Sequence, residues 1–288
     1  MTSWTLENSR FSAEIAQAGG ELTRLWDKRR GVNALWTATP KVWNSAAPQL
    51  FPVVGRLIHQ GLWIGDRFCA LPAHGFLRHQ PFLCLEHTHD TLRLEASATP
   101  QTLAVWPYRW RVRISFKLDE EGLSVSQCVV NEDDTTFAYS LGWHPGLALP
   151  VSSRAGWCVD FGPGPAGGPF YTRDRTLTVP DNQPLLHRFA LTETTFQGGA
   201  VYFGVCEGQQ IAVRGPDGTL VVKVETFNYP WLALWGIPGE DMLCIEPLAG
   251  TTDAPDFDGQ AAGKRGMRRL LAGQQETFRT RLRFAVDA

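Results

Sequence analysis

Three polar residues sit among apolar or turn-forming neighbours, and each is of a type that moves protons or grips polar ligands. His74 lies in Pro72-Ala73-His74-Gly75-Phe76-Leu77-Arg78, His144 in Leu141-Gly142-Trp143-His144-Pro145-Gly146, and Glu246 in Leu243-Cys244-Ile245-Glu246-Pro247-Leu248. Glu246 follows an apolar run and is expected to emerge at the mouth of a buried strand. Partial desolvation there raises a carboxyl pKa and makes the group a useful general base. A carboxylate that merely closes a strand, and histidines that merely satisfy turns, are the competing reading, and the residue types alone leave both open. A second grouping, Glu86, His87 and His89, sets two imidazoles on one face of a strand, as a cupin-type metal enzyme requires, although Asp90-Thr91 follows as a solvated turn.

The elements that must position these groups are strands. Val112, Ile114, Phe116 and Leu118 alternate with Arg111, Arg113, Ser115 and Lys117, and Leu123, Val125, Gln127 and Val129 repeat the pattern after an Asp-Glu-Glu-Gly turn. A second hairpin joins Ile211–Arg214 to Leu220–Glu225 through Gly215-Pro216-Asp217-Gly218. Further strands are expected at Leu22–Asp27, Leu83–Thr88, Leu92–Ala96, Phe137–Leu141, Trp231–Ile237, Met242–Ile245 and Phe278–Val286. The one helix candidate, Lys264–Leu271, is interrupted by Gly266. Many short strands with Gly/Pro turns imply a large antiparallel β-sandwich, all-β, as one domain over residues 1–288. The loop from Gly162 to Pro169 is the nearest thing to a boundary, and no internal repeat is visible.

Composition narrows the function classes. Of 288 residues, 27 are Lys or Arg and 29 Asp or Glu, so a formal charge of -2 offers no basic field for nucleic acid. No run is long enough to cross a bilayer and the N-terminus has no secretory pattern, so a cytoplasmic protein is expected. The six cysteines lie far apart without a CxxC pair, which fits reduced thiols. Eleven tryptophans exceed ordinary core filling; Trp stacks on the apolar face of a sugar while its N–H bonds a hydroxyl, and it also packs as plain core.

Four motifs in order carry a family resemblance. Pro48-Gln49-Leu50-Phe51-Pro52-Val53-Val54-Gly55-Arg56 supplies an early arginine, then come His74-Gly75-Phe76-Leu77-Arg78, Gly142-Trp143-His144-Pro145 and Ile245-Glu246-Pro247 with Gly250 beyond. The chain thereby resembles the aldose 1-epimerase (galactose mutarotase-like) family. The short His-Gly-Phe-Leu-Arg form is most similar to the branch of LacX-like and glucose-6-phosphate 1-epimerase-like proteins. The resemblance implies a large β-sandwich, a small-molecule sugar substrate, and interconversion of α and β anomers without cofactor or metal. It matches Glu246 to the base, His144 to the acid, His74 to a second histidine that binds a sugar hydroxyl, and Arg56 to an arginine that orients hydroxyls. Arg78 either meets a substrate phosphate or pairs with an acidic loop residue.

Two departures stand out. The hydroxyl-binding aspartate that many family members carry is not placed by the sequence; the stretch Leu191–Gly199, where it would be sought, offers Glu193 and Gln197 instead. The common Ile-Glu-Pro-Trp is Ile-Glu-Pro-Leu, which removes a stacking platform that Trp143 or Trp231 would have to replace. A noncatalytic sugar-binding or sensing protein on the same fold is the alternative, against which the presence of both Glu246 and His144 argues.

Overall fold

The structure is a computed structural model that describes residues 2–151 and 154–285. Among them, two nine-stranded sheets dominate, with a four-stranded sheet of residues 3–33 beside them. The hairpin expected from period-2 alternation forms as Trp110–Leu118 and Gly122–Asn131, with Leu118 opposite Leu123. Val112, Ile114, Phe116 and Leu118 are buried, because alternate side chains point to opposite faces and only one face meets the core. The second hairpin, Gln210–Arg214 with Leu220–Phe227, lies in the same sheet, separated from the first by Gln275–Phe284. On the solvent face arginines are neutralised across strands, as with Arg111 to Glu95 (3.2 Å), Arg113 to Glu95 (2.9 Å) and Arg281 to Asp119 (2.7 Å).

The other sheet runs from Thr176–Leu177 through Ala166–Arg173, Val201–Gly204, Trp231–Trp235, Met242–Ala249 and Leu141–Trp143 to Gln49–Leu50. Its apolar face shares one core with the first sheet: Leu232, Leu234, Leu243 and Ile245 cluster with Val112, Ile114 and Phe116. One polar residue breaks the alternation, and it ties the layers together. Gln127, fully buried, donates to Gln49 Oε1 (2.6 Å) and to the Gly142 carbonyl (3.2 Å) and accepts from the Tyr229 hydroxyl. A buried amide is tolerated only when its hydrogen bonds are made, and here they cross from one sheet to the other.

Three expectations are corrected. The Phe137–Leu141 strand divides into Phe137–Tyr139, paired with Arg268–Leu270, and Leu141–Trp143 in the site-bearing sheet. The Lys264–Leu271 helix does not form. Lys264 instead buries its ammonium on Asp253 (2.5 Å) and the Thr251 carbonyl (2.9 Å), which fixes the chain as a turn after the short 3₁₀ segment Ala261–Gly263. A helix does form at Pro100–Val105, where Thr99 and Thr102 make a reciprocal capping box and proline occupies the first turn. Val286, the last residue of the final expected strand, lies outside the described residues; that strand spans Gln275–Phe284. No helix among the described residues is long and apolar enough to cross a membrane.

Candidate active site

Glu246 lies within its strand, which continues through Pro247 to Ala249, so the expected position at a strand mouth is corrected. What exposes it is a break in the neighbouring strand. Leu141–Trp143 and Gly146–Ala148 both pair with Met242–Ala249, and His144-Pro145 interrupts them. One register holds on both sides of the break, Gly142 opposite Leu248 and Gly146 opposite Cys244, so the residues that meet across the gap are His144 and Glu246. Directly opposed residues project to the same face of a sheet. His144 Nε2 lies 3.3 Å from Glu246 Oε1, and both side chains are less than a tenth exposed. The His144 N–H is bonded to the Pro48 carbonyl (3.1 Å), which draws the backbone out of the ladder. Gly146 is small for a steric reason: a Cβ there would lie 2.6 Å from the Trp43 ring, which packs over His144 with centroids 5.1 Å apart.

His74 approaches from the opposite wall, its ring centroid 5.7 Å from that of His144. It adopts a left-handed backbone (φ 66°), held by two bonds with Gly55: its N–H donates to the Gly55 carbonyl (3.0 Å) and Nδ1 accepts from the Gly55 N–H (3.3 Å). With Nδ1 an acceptor, the neutral ring carries its proton on Nε2. Arg78 follows on the 3₁₀ turn Leu77–His79, half-buried. Arg56 lies at the rim, exposed, with Nη1 donating to the Asp174 carbonyl (3.4 Å).

Burial inverts the ordinary order of the two titrating groups. Desolvation pushes the Glu246 carboxyl up to about 8, partly offset by the Arg78 charge. Desolvation, reinforced by Arg78, pulls His144 down to about 3. His74 is held well below its usual value by burial and by the neighbouring His144, Arg78 and Lys264 charges. The pair therefore holds one proton near neutral pH, favouring Glu246, and moving that proton across the 3.3 Å contact yields carboxylate and imidazolium. A proton acceptor and a proton donor side by side can take a proton from one oxygen while giving one to another.

These groups line a cavity of about 300 Å³ that contains all five residues singled out in the sequence: Arg56, His74, Arg78, His144 and Glu246. It also gathers Trp43, Thr172, Arg175, Tyr202, Trp235 and Thr252, which the sequence did not single out. Trp43 and Trp235 flank His144, edge to face with each other, and supply the aromatic surface expected from Trp143 or Trp231. Trp143 is instead wholly buried, its Nε1 on the Ala47 carbonyl (3.1 Å), and Trp231 packs edge-on against Phe170. Glu193 and Gln197 lie exposed on a loop and do not line the cavity, whose one carboxylate among the described residues is Glu246. Glu86 pairs with Arg93 (3.1 Å) and His87 bonds the Thr5 carbonyl (2.9 Å), and among the described residues no three His, Cys, Asp or Glu side chains converge as metal donors. A larger open depression of about 500 Å³ lies elsewhere, around Asp160, which is already neutralised by Arg188 and Arg214.

The family model for aldose 1-epimerase matches residues 2–283. The chain belongs to the aldose 1-epimerase family. It is 24% identical over 266 residues to the plasmid-encoded protein LacX of Lactococcus lactis subsp. lactis, covering 85% of this chain and 87% of that protein. A galactose mutarotase related enzyme from Lactobacillus acidophilus superposes with a TM-score of 0.90 at 25% identity, over 99% of this chain and 98% of that one. A galactose mutarotase-like protein from Lactobacillus casei has the same fold, with a TM-score of 0.86 at 23% identity over 99% of this chain and 100% of that one.

Proposed function

We propose that the protein is an aldose 1-epimerase of the LacX-like branch, a single mutarotase-like domain over residues 1–288 that interconverts the anomers of an aldose or aldose phosphate in the cytoplasm. The observation that carries the proposal is the 3.3 Å contact between His144 Nε2 and Glu246 Oε1 in a cavity walled by two tryptophans. Glu246, as carboxylate, takes the proton from the anomeric hydroxyl while His144, as imidazolium, protonates the ring oxygen. The bond from C1 to the ring oxygen breaks, O1 becomes the aldehyde oxygen, and the pair is left with its proton on Glu246. Rotation about C1–C2 presents the other face. The ring hydroxyl then attacks C1, His144 recovers its proton, and Glu246 returns one to O1, so acid and base are regenerated.

The remaining side chains orient the sugar. His74, with Nε2–H free of its Gly55 contacts, donates to a sugar hydroxyl. Arg78 directs its charge at Glu246 and His144, which favours the ionised carboxylate at Glu246 and the neutral imidazole at His144. Trp43 and Trp235 offer apolar faces to the ring. Exchange NMR on a panel of aldoses and aldose 6-phosphates tests the proposal: at least one anomeric pair should interconvert faster with protein present. Binding of the same sugars without faster exchange would identify a sugar-binding protein instead.

A further inference from the structure

One row of residues crosses the site-bearing sheet. Tyr202 stands opposite Ala233, Ala233 opposite Glu246, and Glu246 meets His144 across the strand break. Directly opposed residues project to the same face, so the phenol stands on the same side of the sheet as the acid–base pair, beyond Glu246 from His144. Between phenol and carboxyl the row carries only the methyl of Ala233, whose own strand places it between Trp231 and Trp235 on that face. Two strand spacings of about 4.8 Å separate the backbones of Tyr202 and Glu246. The short side chain between them leaves that interval to the cavity, which both residues line.

The phenol is aimed by the backbone. Its oxygen accepts from the Thr252 N–H (3.4 Å), and its own proton has no acceptor among the described residues. His74 is held in the same way, Nδ1 accepting from the Gly55 N–H (3.3 Å) with the Nε2 proton left over. The two N–H groups belong to segments in close contact, since a Cβ on Gly55 would lie 2.4 Å from the Thr252 Cα. One wall thus occupies an acceptor on each side chain and leaves each a proton to give. Burial, with the Glu246 charge added, pushes the Tyr202 phenol above its ordinary pKa, so it stays a neutral donor. No second carboxylate lines the cavity among the described residues. A sugar hydroxyl beside the anomeric one is therefore met by a donor at this end of the row.

We propose that Tyr202 is a specificity-determining residue that touches the substrate, its phenol donating a hydrogen bond to the oxygen on C2 of the aldose. The order of the sugar atoms rests on the mutarotase reading. With the ring oxygen at His144 and O1 at Glu246, the remaining neighbour of C1 is C2, and it is directed along the row away from His144, toward Tyr202. An aldose without oxygen at C2 leaves the phenol's proton unpaired in a desolvated site, a mismatch that proteins reject strongly.

The test compares glucose and galactose with their 2-deoxy and 2-deoxy-2-fluoro analogues by exchange NMR, each rate divided by that of the spontaneous reaction. The wild type should favour a hexose over its 2-deoxy form by about 10-fold or more in kcat/KM, and Tyr202→Phe, which removes the hydroxyl alone, should bring that ratio close to one. The fluoro sugars accept a hydrogen bond at C2 and cannot donate one, so they should rank above the 2-deoxy sugars in the wild type and level with them in Tyr202→Phe. A fluoro sugar ranked at or below its 2-deoxy form would overturn the phenol as donor. Equal losses on all the sugars in Tyr202→Phe would reduce Tyr202 to a shaper of the cavity. Calorimetry gives a readout independent of catalysis: hexose should bind about 10-fold tighter than 2-deoxyhexose, and Tyr202→Phe should abolish the difference. If no sugar is exchanged yet that binding difference holds, the mutarotase reading fails and the subsite stands. If exchange is accelerated with no preference between hexose and 2-deoxyhexose in rate or binding, the subsite fails and the mutarotase reading stands.

Discussion

Glu246→Gln separates what the carboxyl does for the reaction from what its ionisation costs the fold. The two side chains have the same shape, so the packing around residue 246 is preserved. In wild type, Glu246 titrates near 4.5 unfolded and at about 8 folded, so the folded state binds the extra proton between those values and stability falls as pH rises through them. His144 does the reverse. It titrates near 6.5 unfolded and at about 3 folded, so the unfolded state binds the extra proton and stability rises with pH over that range. The slopes oppose one another between pH 4.5 and 6.5, so that of the two residues it is Glu246 that drives a decline from pH 6.5 to about 8. Over about 1.5 pH units at about 1.36 kcal/mol each, it amounts to about 2 kcal/mol. Glu246→Gln cannot ionise, so urea unfolding at pH 6.5, 7.0 and 7.5, below the range in which the buried Cys244 thiol adds its own alkaline decline, should show the wild-type decline and none in the variant. Anomeric exchange should meanwhile fall about 10²- to 10⁴-fold, or about 3 to 5 kcal/mol of barrier. A decline of the same size between pH 6.5 and 7.5 in the variant would refute the buried carboxyl; near-normal exchange by the folded variant would refute its role as base.

The wild-type rate should itself hold steady through neutrality and fall above about pH 8, as the pair loses its last proton; a pH profile of kcat/KM rising through pH 9 would contradict this. His144→Gln should reduce exchange by about 10²-fold or more with the circular dichroism spectrum unchanged, and retention of the rate would remove His144 from the chemistry. Gly146→Ala forces a methyl to within 2.6 Å of the Trp43 ring, so it should displace that ring from His144 and destabilise by about 1 to 3 kcal/mol, measured by urea unfolding. Gln127→Leu removes the partner of Gln49, the Gly142 carbonyl and the Tyr229 hydroxyl, and should cost about 2 to 4 kcal/mol; a neutral result would show that these groups find other partners.

The sandwich was legible where one sheet face is buried, because alternation from Val112 to Leu118 and from Leu123 to Val129 follows directly from that geometry. Legibility ended where tertiary contacts overrule local signals. Pro247 reads as a strand terminator because it lacks an N–H, yet the partner strand is broken at His144-Pro145, and the ladder passes through it. The helix at Pro100–Val105 carried a capping signal in Thr99-Pro100, but six residues are too few to show a helical period. Lys264 looked like a helix start because nothing nearby in sequence announces Asp253 as its partner. Trp43, Trp235, Tyr202, Arg175 and Thr252 converge on the cavity from separate segments, and no spacing in the chain reports that convergence.

The meeting of His144 with Glu246 is a property of sheet registration, since no local turn brings them together. A slip of one residue between Met242–Ala249 and its neighbours would turn Glu246 to the opposite face, and a slip of two would set Cys244 or Leu248 opposite His144. The chemistry therefore cannot be adjusted by small changes in loop length; it is present in full or lost with the sheet. The rim behaves otherwise. Asp174 and Arg175 hang on a two-residue turn whose ties to the body run through the Arg56 guanidinium and the Thr252 hydroxyl, so the amides there can open without disturbing the strands. The His144–Glu246 contact and the cavity rim are thus housed in parts of different cooperativity, and sequence change at the rim is tolerated while the register of that contact stays fixed.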